Sequence, residues 1–283
     1  MSNTPKSSPS SNVSTSMAFP AVGWSGSCIT SCRVNSRPGK ESSMVQISER
    51  KVVVVGASRG IGRVVALYLA RHGAHVALAG RSVELLAEAV AVYPDQCTTV
   101  GCDVRDPDSC DAAIEQAVAA LGGLDALIYA AGVTHFGEMA QTTAEQWHTV
   151  FDTNIIGAAV VTRAALPHLG AAEGNAVYLS SHSVSQQPPW AGIGAYICSK
   201  TALERMVQCW QHENPEVAFT TLGVGPTVST VRDRQPEGSR FGAIWAQREL
   251  INGRQLDGAE HAAMITHILS SPARFTSTTI VPR

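Results

Sequence analysis

Residues 51–62 read KVVVVGASRGIG. Val52 to Val55 form a short run of β-branched apolar residues, which is typical of a strand buried on both faces of a parallel sheet. Glycines then interrupt the run, and a helical spacing of apolar residues follows over residues 61–71. The segment therefore predicts a strand, a tight turn and a helix in immediate succession.

The same alternation of strand and helix continues along the chain. Apolar runs predict further strands at 75–79, 97–101, 126–130, 176–179, 217–224 and 278–281. Helical spacing predicts further helices at 83–92, 109–121, 143–169, 195–211 and 260–269. Strict β-α alternation implies a parallel sheet covered by helices. We therefore expect an α/β protein with a single-domain, doubly wound fold and a mainly parallel, seven-stranded sheet with helices on both faces.

Two segments depart from this rhythm. Residues 1–48 are rich in Ser, Thr, Asn and Pro and lack apolar periodicity. Such a composition buries too little apolar surface to offset the entropy of ordering, so it predicts a disordered tail before one domain at 49–283. Within that domain, residues 228–257 are polar and charged around the apolar Phe241, Ile244 and Trp245. This pattern predicts a mobile helical flap.

The amino-acid composition argues against a nucleic-acid-binding protein and against a membrane-spanning one. The chain is 45% hydrophobic and 16% charged, with a formal net charge of -2. These values are ordinary for a globular protein and argue against a nucleic-acid partner. No run of about 18 apolar residues is present, so no membrane span is expected. The seven cysteines are odd in number and scattered, which predicts reduced thiols in the cytoplasm and no metal site. A zinc site at Cys28 and Cys32 is a minor alternative, because no second pair of ligands accompanies them.

The turn after the first strand has the composition of a dinucleotide site. Glycine permits a tight turn and close approach of a pyrophosphate, and the helix N-terminus offers free N–H groups. The residues concerned are Gly56, Ser58, Arg59, Gly60, Ile61 and Gly62. A turn that only packs helix on strand is the alternative for the glycines alone.

The end of the second predicted strand bears on which dinucleotide is bound. Enzymes that prefer NAD usually carry an acid there, for the ribose 2′-hydroxyl. This chain has Gly80 followed by Arg81 instead. Arg81 and Arg59 can bind a 2′-phosphate in bidentate fashion, so we expect NADP(H) to be preferred over NAD(H).

The G-x-x-x-G-x-G spacing resembles that of the short-chain dehydrogenase/reductase family, and further motifs follow in the family's order over about residues 48–230. Asp103 and Val104 match the family's adenine contact. The segment Ala130-Ala131-Gly132 matches the end of its N-N-A-G motif, with Tyr129 in place of the first Asn. The P-G-x-x-x-T segment that packs on the nicotinamide is matched by Pro226, Thr227, Val228 and Thr230, with Thr227 in place of Gly. The resemblance implies a Rossmann fold that binds NADP(H) through these residues.

Tyr196 and Lys200 match the family's Y-x-x-x-K pair and stand four residues apart on a predicted helix, so they share one face. A nearby ammonium favours the phenolate, so we expect it to lower the pKa of Tyr196. Tyr196 can then exchange a proton with a carbonyl or alcohol oxygen. The resemblance implies that Lys200 also holds the nicotinamide ribose and that Asn154 anchors a water in a proton relay.

Two serines compete as the hydroxyl that holds the substrate oxygen. Spacing from Tyr196 in many family members selects Ser183, whereas the strand motif selects Ser181 as the last of two serines. A loop absorbs two extra residues more readily than a strand does. We therefore predict Ser181 as the catalytic serine, with Ser183 as the alternative.

Together these residues predict an NADP(H)-dependent oxidoreductase that reduces a ketone or aldehyde to an alcohol, or catalyses the reverse, by hydride transfer. A catalytically idle NADP(H) sensor or scaffold is the alternative, although it would have no need for Asn154, Ser181, Tyr196 and Lys200 together. A methyltransferase is a weaker alternative because it would normally carry an acid near Arg81. The resemblance also implies a homo-dimer or homo-tetramer that pairs through the helices at 143–169 and 195–211.

Overall fold

A computed structural model describes residues 46–228, 236–247 and 255–282. Within them, seven strands form one sheet: β1 (Lys51–Val55), β2 (His75–Gly80), β3 (Cys97–Gly101), β4 (Ala126–Tyr129), β5 (Asn175–Ser181), β6 (Ala218–Val224) and β7 (Ser277–Ile280). The helices are α1 (Gly60–Arg71), α2 (Val83–Val90), α3 (Pro107–Leu121), α4 (Ala144–Phe151), α5 (Gly157–Ala171), α6 (Gly194–Glu213), α7 (Pro236–Gln247) and α8 (Gly258–Ser270). The predicted doubly wound α/β fold is confirmed.

The order of the strands in the sheet predicts a ligand-binding crevice at the carboxyl ends of β1 and β4. The sheet runs β3-β2-β1-β4-β5-β6-β7, and each neighbouring pair is parallel. The sheet is therefore wholly rather than mainly parallel. Because the chain winds outward from β1 in one direction and from β4 in the other, the carboxyl ends of these two strands border the crevice in which such sheets bind ligands.

The β1 valines divide between two apolar layers. Val53 and Val55 join the cluster under α3, α5 and α6, whereas Val52 and Val54 join the cluster under α1, α2 and α8. Each is at most 1% exposed, and full burial of such a side chain is worth about 1.5–3 kcal/mol. This period-two division explains why the strand reads as an unbroken apolar run.

The long helix predicted at 143–169 consists of three segments. Thr143 and Gln146 form a capping box that starts α4. A π-helical turn over Asp152–Ile156 then separates α4 from α5. Asn154 lies in this turn, so the helix is interrupted at the residue that the family resemblance singled out.

The flap predicted at 228–257 contains α7, whose bounds fall inside it. Residues 229–235 and 248–254 of the flap, and residues 1–45 of the predicted tail, lie outside the described residues. Among the helices that are described, none combines the length and apolar character that a bilayer crossing requires.

Candidate active site

A cleft of about 470 Å³ opens at the carboxyl edge of the sheet, beside β1 and β4. It brings together every predicted cofactor residue before Pro226, from the turns after four consecutive strands, β1 to β4, and from helices α1 and α6. These are Gly56, Ser58, Arg59, Gly60, Ile61, Gly62, Arg81, Asp103, Val104, Ala130, Ala131, Gly132, Tyr196 and Lys200.

The glycine turn approaches the backbone after β4 as closely as packing allows. Gly56 has a φ of 89°, and a Cβ there would lie 2.5 Å from the backbone nitrogen of Ala131. A Cβ at Gly62 would lie 2.4 Å from the Gly56 carbonyl oxygen. Helix α1 follows with no side-chain cap at Arg59 and no acidic residue in its first turn. Its first N–H groups and partial positive charge suit an anion such as a pyrophosphate.

Three arginines line the same end of the cleft. Arg105 donates to both carboxylate oxygens of Asp103, at 3.0 and 2.7 Å. This pairing, with a smaller contribution from Arg81, lowers the pKa of Asp103 to about 2. Arg59 and Arg81 are exposed. The sequence analysis missed Arg105, although its position two residues after Asp103 was a usable signal.

Asn154 is fully buried and clamps the loop after β4. Its Oδ1 accepts from the Val133 N–H at 2.9 Å, and its Nδ2 donates to the Val133 carbonyl at 3.0 Å. The same Nδ2 donates to Ser199 Oγ at 2.9 Å, next to Lys200 in sequence. A Cβ at Gly132 would lie 3.5 Å from both Asn154 Oδ1 and Lys200 Nζ, so both side chains border the space beside this glycine.

Lys200 is 4% exposed, and its ammonium donates to the Leu179 carbonyl at 2.7 Å. Burial lowers the pKa of Lys200 to about 8, while the negative charge of Glu204 acts in the opposite direction. Glu204 in turn accepts from the Ser180 hydroxyl at 2.6 Å. The sequence analysis assigned no role to Glu204.

Tyr196 lies on the same face of α6 as Lys200, whose Nζ is 5.8 Å from the centre of the tyrosine ring. Burial raises the pKa of Tyr196 above its ordinary value, and a hydrogen bond with Ser181 partly offsets this rise. The expectation that Lys200 would lower the pKa of Tyr196 is therefore wrong for the protein alone, because desolvation of the phenolate outweighs the distant ammonium.

The two candidate serines are hydrogen-bonded to each other. Ser181 Oγ and Ser183 Oγ are 2.8 Å apart, and the Ser183 N–H also donates to Ser181 Oγ at 3.2 Å. Ser183 is 2% exposed, whereas Ser181 is half-buried and interacts with Tyr196. Ser181 thus interacts with both Ser183 and the phenol.

The loop after β6 is tied to the start of α8. The Val228 N–H donates to the Leu256 carbonyl, and the Leu256 N–H donates to the Pro226 carbonyl, both at 2.9 Å. Thr227 Oγ1 lies 2.8 Å from His261 Nε2 and donates to the Gly225 carbonyl. Thr227 is not among the positive-φ residues, so the loop accommodates Thr in place of Gly without strain. Thr230 lies outside the described residues.

The aromatic residues of the flap pack beside Tyr196. Phe241 and Trp245 of α7 form a buried cluster with Phe136, Trp190 and Ile193. The Trp245 indole donates to the Ala191 carbonyl at 2.9 Å. The cluster anchors α7 to the loop before α6 and forms an apolar wall next to the phenol.

Comparison with known proteins places this arrangement in a family. A family model described as short chain dehydrogenase matches residues 50–238. Glycine betaine reductase ATRR of Emericella nidulans is 31% identical over 80% of this chain, which spans 18% of that protein's length. The uncharacterized oxidoreductase SERP2049 of Staphylococcus epidermidis is 26% identical over 81% of this chain and 95% of its own length.

Solved structures show the same relationship. An alcohol dehydrogenase from the archaeon Thermococcus sibiricus, complexed with 5-hydroxy-NADP, is 25% identical with a TM-score of 0.69, covering 82% of this chain and 95% of its own. A dehydrogenase/reductase from Sinorhizobium meliloti 1021 is 28% identical with a TM-score of 0.74, covering 83% of this chain and 96% of its own.

Proposed function

This chain belongs to the short-chain dehydrogenase/reductase family of oxidoreductases, and we propose that it uses NADP(H) to reduce a ketone or aldehyde to an alcohol, or to catalyse the reverse oxidation. One observation carries the proposal. Tyr196, which interacts with Ser181, and the buried Lys200 both line a cleft built around an uncapped helix N-terminus.

The proton chemistry belongs to Tyr196. Because burial raises the pKa of its phenol, the group is protonated near neutral pH and can donate to the carbonyl oxygen as that oxygen gains charge. Ser181 donates a second hydrogen bond to the same oxygen, which stabilises the developing charge. NADPH, when bound, supplies the hydride.

Lys200 and Asn154 support this proton transfer. The Lys200 ammonium and Asn154 Oδ1 both border the space beside Gly132 in the cleft. There it can bind ribose hydroxyls and return a proton to Tyr196. Asn154 holds the loop backbone in place and offers the polar contact for a water that leads the proton to solvent.

Preference for NADP(H) rests on the end of β2. The Cβ position of Gly80 faces Ser58 of the glycine turn, and Arg81 follows as an exposed cation in the cleft. No carboxylate stands at the end of β2 to bind a ribose 2′-hydroxyl, whereas a guanidinium suits a 2′-phosphate. The Thermococcus sibiricus relative was crystallised with an NADP analogue, which is consistent with this choice.

The proposal also covers the protein's organisation. We propose one cytoplasmic oxidoreductase domain at residues 49–283, whose flap at about 228–257 carries α7. We further propose that the domain forms a homo-dimer or homo-tetramer through the α4–α5 helix and α6. Sedimentation of the purified protein would measure that state.

The decisive experiment is turnover of a panel of ketones, aldehydes and alcohols with NADPH and NADP, using wild type and Tyr196→Phe. We expect wild type to be active and Tyr196→Phe to lose turnover while its NADPH affinity, measured by cofactor fluorescence, stays nearly unchanged. Tyr68→Phe is the matched control, because Tyr68 belongs to α1 and its ring stacks on His72 at the end of that helix. Substantial residual activity in Tyr196→Phe would reject the proton role. NADPH binding without turnover of any compound by wild type would favour the idle sensor.

A further inference from the structure

We propose that Tyr129 is a positioning residue, which holds the π-helical turn that presents Asn154. The inference rests on the proposed function, since Asn154 matters to turnover only if the cleft carries out the reaction described above. Tyr129 stands where the family resemblance expects an Asn, and the sequence analysis gave it no task in the site.

The π turn releases one backbone carbonyl from its normal partner. In a regular α-helix the Gly157 N–H would donate to the Thr153 carbonyl, four residues back. Here the Gly157 N–H donates to the Asp152 carbonyl, five residues back. The Thr153 carbonyl, directly before Asn154, therefore needs another donor, because a buried backbone acceptor without one is costly.

Tyr129 supplies that donor from the end of β4. Its hydroxyl donates to the Thr153 carbonyl at 2.6 Å, and the side chain is 0% exposed. Burial raises the pKa of Tyr129 well above its ordinary value, so the group remains a donor at every working pH. A Cβ at Gly157 would lie 2.9 Å from this hydroxyl, so the glycine leaves the space that the phenol occupies.

The π-helical turn positions the Asn154 side chain. With the Thr153 carbonyl held, Asn154 reaches the Val133 backbone and Ser199 Oγ with three hydrogen bonds of 2.9–3.0 Å. A return of residues 152–156 to α-helical spacing would rotate Asn154 relative to both partners, since a π turn inserts a residue into the helical repeat. Tyr129 therefore acts on the site through Asn154 and contacts no reacting atom.

The neighbouring strand contains a matched control. Tyr178 pairs with Tyr129 across β4 and β5, and it is also 0% exposed. Its hydroxyl lies 2.6 Å from Thr162 Oγ1, and Thr162 belongs to the regular helix α5. Tyr178→Phe thus removes an equally buried hydroxyl from the same sheet without touching the π turn.

The test compares Tyr129→Phe, Tyr178→Phe, Asn154→Ala and the double variant Tyr129→Phe/Asn154→Ala with wild type. We expect Tyr129→Phe to lower kcat about tenfold or more, as misplacement of an active-site group does, with the KM for NADPH nearly unchanged. Tyr178→Phe should keep the wild-type kcat, and its melting temperature measures the general cost of removing a buried hydroxyl from this sheet. In the Asn154→Ala background, Tyr129→Phe should have no further effect on kcat, because coupled residues are not additive.

Three outcomes would overturn the proposal: a wild-type kcat in Tyr129→Phe, an equal loss in Tyr178→Phe, or the same loss from Tyr129→Phe with and without Asn154. Amide hydrogen exchange over residues 152–157 provides a readout that needs no substrate. We expect faster exchange there in Tyr129→Phe than in Tyr178→Phe, and equal rates would count against the role of Tyr129. If wild type turns over no carbonyl, the proposed function fails, and this exchange measurement alone decides whether Tyr129 holds the turn.

Discussion

The arginine side chains around the cleft differ in whether they already form an ion pair. Arg105 donates a hydrogen bond to each carboxylate oxygen of Asp103, so its guanidinium is already paired with a carboxylate. Among the residues that the structure describes, Arg59 and Arg81 have no ion pair with a carboxylate within 4 Å. Both are exposed in the cleft. A guanidinium that is not paired with a carboxylate is the side chain best suited to bind a phosphate.

Arg81→Asp should reverse or erase the preference for NADPH over NADH. The change removes a charge-assisted phosphate contact worth about 1.5–3 kcal/mol, roughly ten- to a hundredfold in affinity, and adds repulsion. Steady-state kcat/KM with both cofactors measures the preference. Arg71→Asp is the control, because it changes the net charge equally at the far end of α1. Equal efficiency of wild type with the two cofactors would refute the prediction.

Ser181→Ala should cost about a hundredfold or more in turnover, since it removes a donor to the charge that develops on the substrate oxygen. Ser183→Ala should cost much less, because Ser181 Oγ keeps the backbone N–H of residue 183 as a partner. Both variants need an NADPH titration, in which affinity should stay unchanged. A large loss confined to Ser183→Ala would show that the spacing from Tyr196, and not the strand motif, identifies the active serine.

Helix α6 presents three functional side chains on one face, at intervals of four residues. After Tyr196, Lys200 bonds the Leu179 carbonyl and Glu204 bonds the hydroxyl of the next residue, Ser180. Two hydrogen bonds, to the consecutive residues Leu179 and Ser180, therefore hold helix α6 against the end of β5. Glu204 both positions α6 and sets the electrostatic environment of Lys200.

Glu204→Gln should move the alkaline limb of the pH profile to lower pH. The pKa of Lys200 is about 8 because burial outweighs the opposing charge of Glu204, so activity that needs the ammonium should fall as pH rises through about 8. Removing the negative charge lowers that pKa further, while Gln can still accept from Ser180. The profile of kcat/KM for NADPH measures the shift, since kcat/KM reports groups of the free enzyme. Glu213→Gln, exposed in the last turn of the same helix, should leave the profile unchanged, and an equal shift there would contradict the assignment.

The elements differ in how far the sequence alone could predict them. The β1 valines and the glycine turn carry local signals of strand and turn, and the predicted strand at 52–55 lies within β1 as observed. The π turn carries no such signal, because its apolar spacing is compatible with an uninterrupted α-helix. Contacts between distant segments, such as Trp190 with Trp245 or Tyr129 with Thr153, have no local signature at all. Likewise, the raised pKa of Tyr196 depends on burial that only the assembled fold creates.

Across the whole molecule, α8 connects the glycine turn with the loop after β6. It packs closely on α1, where a Cβ at Gly258 would lie 2.8 Å from Val64, and α1 starts at the glycine turn. The same helix holds Thr227 through His261, on the loop that resembles the family's nicotinamide segment. Burial lowers the pKa of His261, so the ring is neutral at neutral pH. Because the Thr227 hydroxyl donates to the Gly225 carbonyl, Nε2 is the donor in the bond to Thr227. Helix α8 thus contacts both the helix that starts at the glycine turn and the loop after β6.

The residues just before β1 contact the layer under α1, α2 and α8. Arg50 donates to the Leu269 carbonyl of α8 at 3.0 Å, and Ile47 packs against the same apolar cluster. The Glu49 N–H donates to the Gly73 carbonyl at 2.9 Å. Residues 47–50 therefore belong to the folded domain, although they precede β1.

A chain that begins at Met44 should keep the melting temperature and turnover of the full chain, because the Ser-rich residues before it lack the periodicity of core-forming segments. A chain that begins at Lys51 behind an initiator methionine should lose Ile47 and Arg50 and melt lower. Loss of one charged hydrogen bond costs about 1.5–3 kcal/mol, and each kcal/mol lowers the melting temperature of a domain this size by about 2–4 °C. Calorimetry and turnover of the three purified chains make the comparison. A clear drop in melting temperature for the chain starting at Met44 would show that the earlier residues contribute to the fold, and an unchanged value for the chain starting at Lys51 would show that residues 47–50 do not.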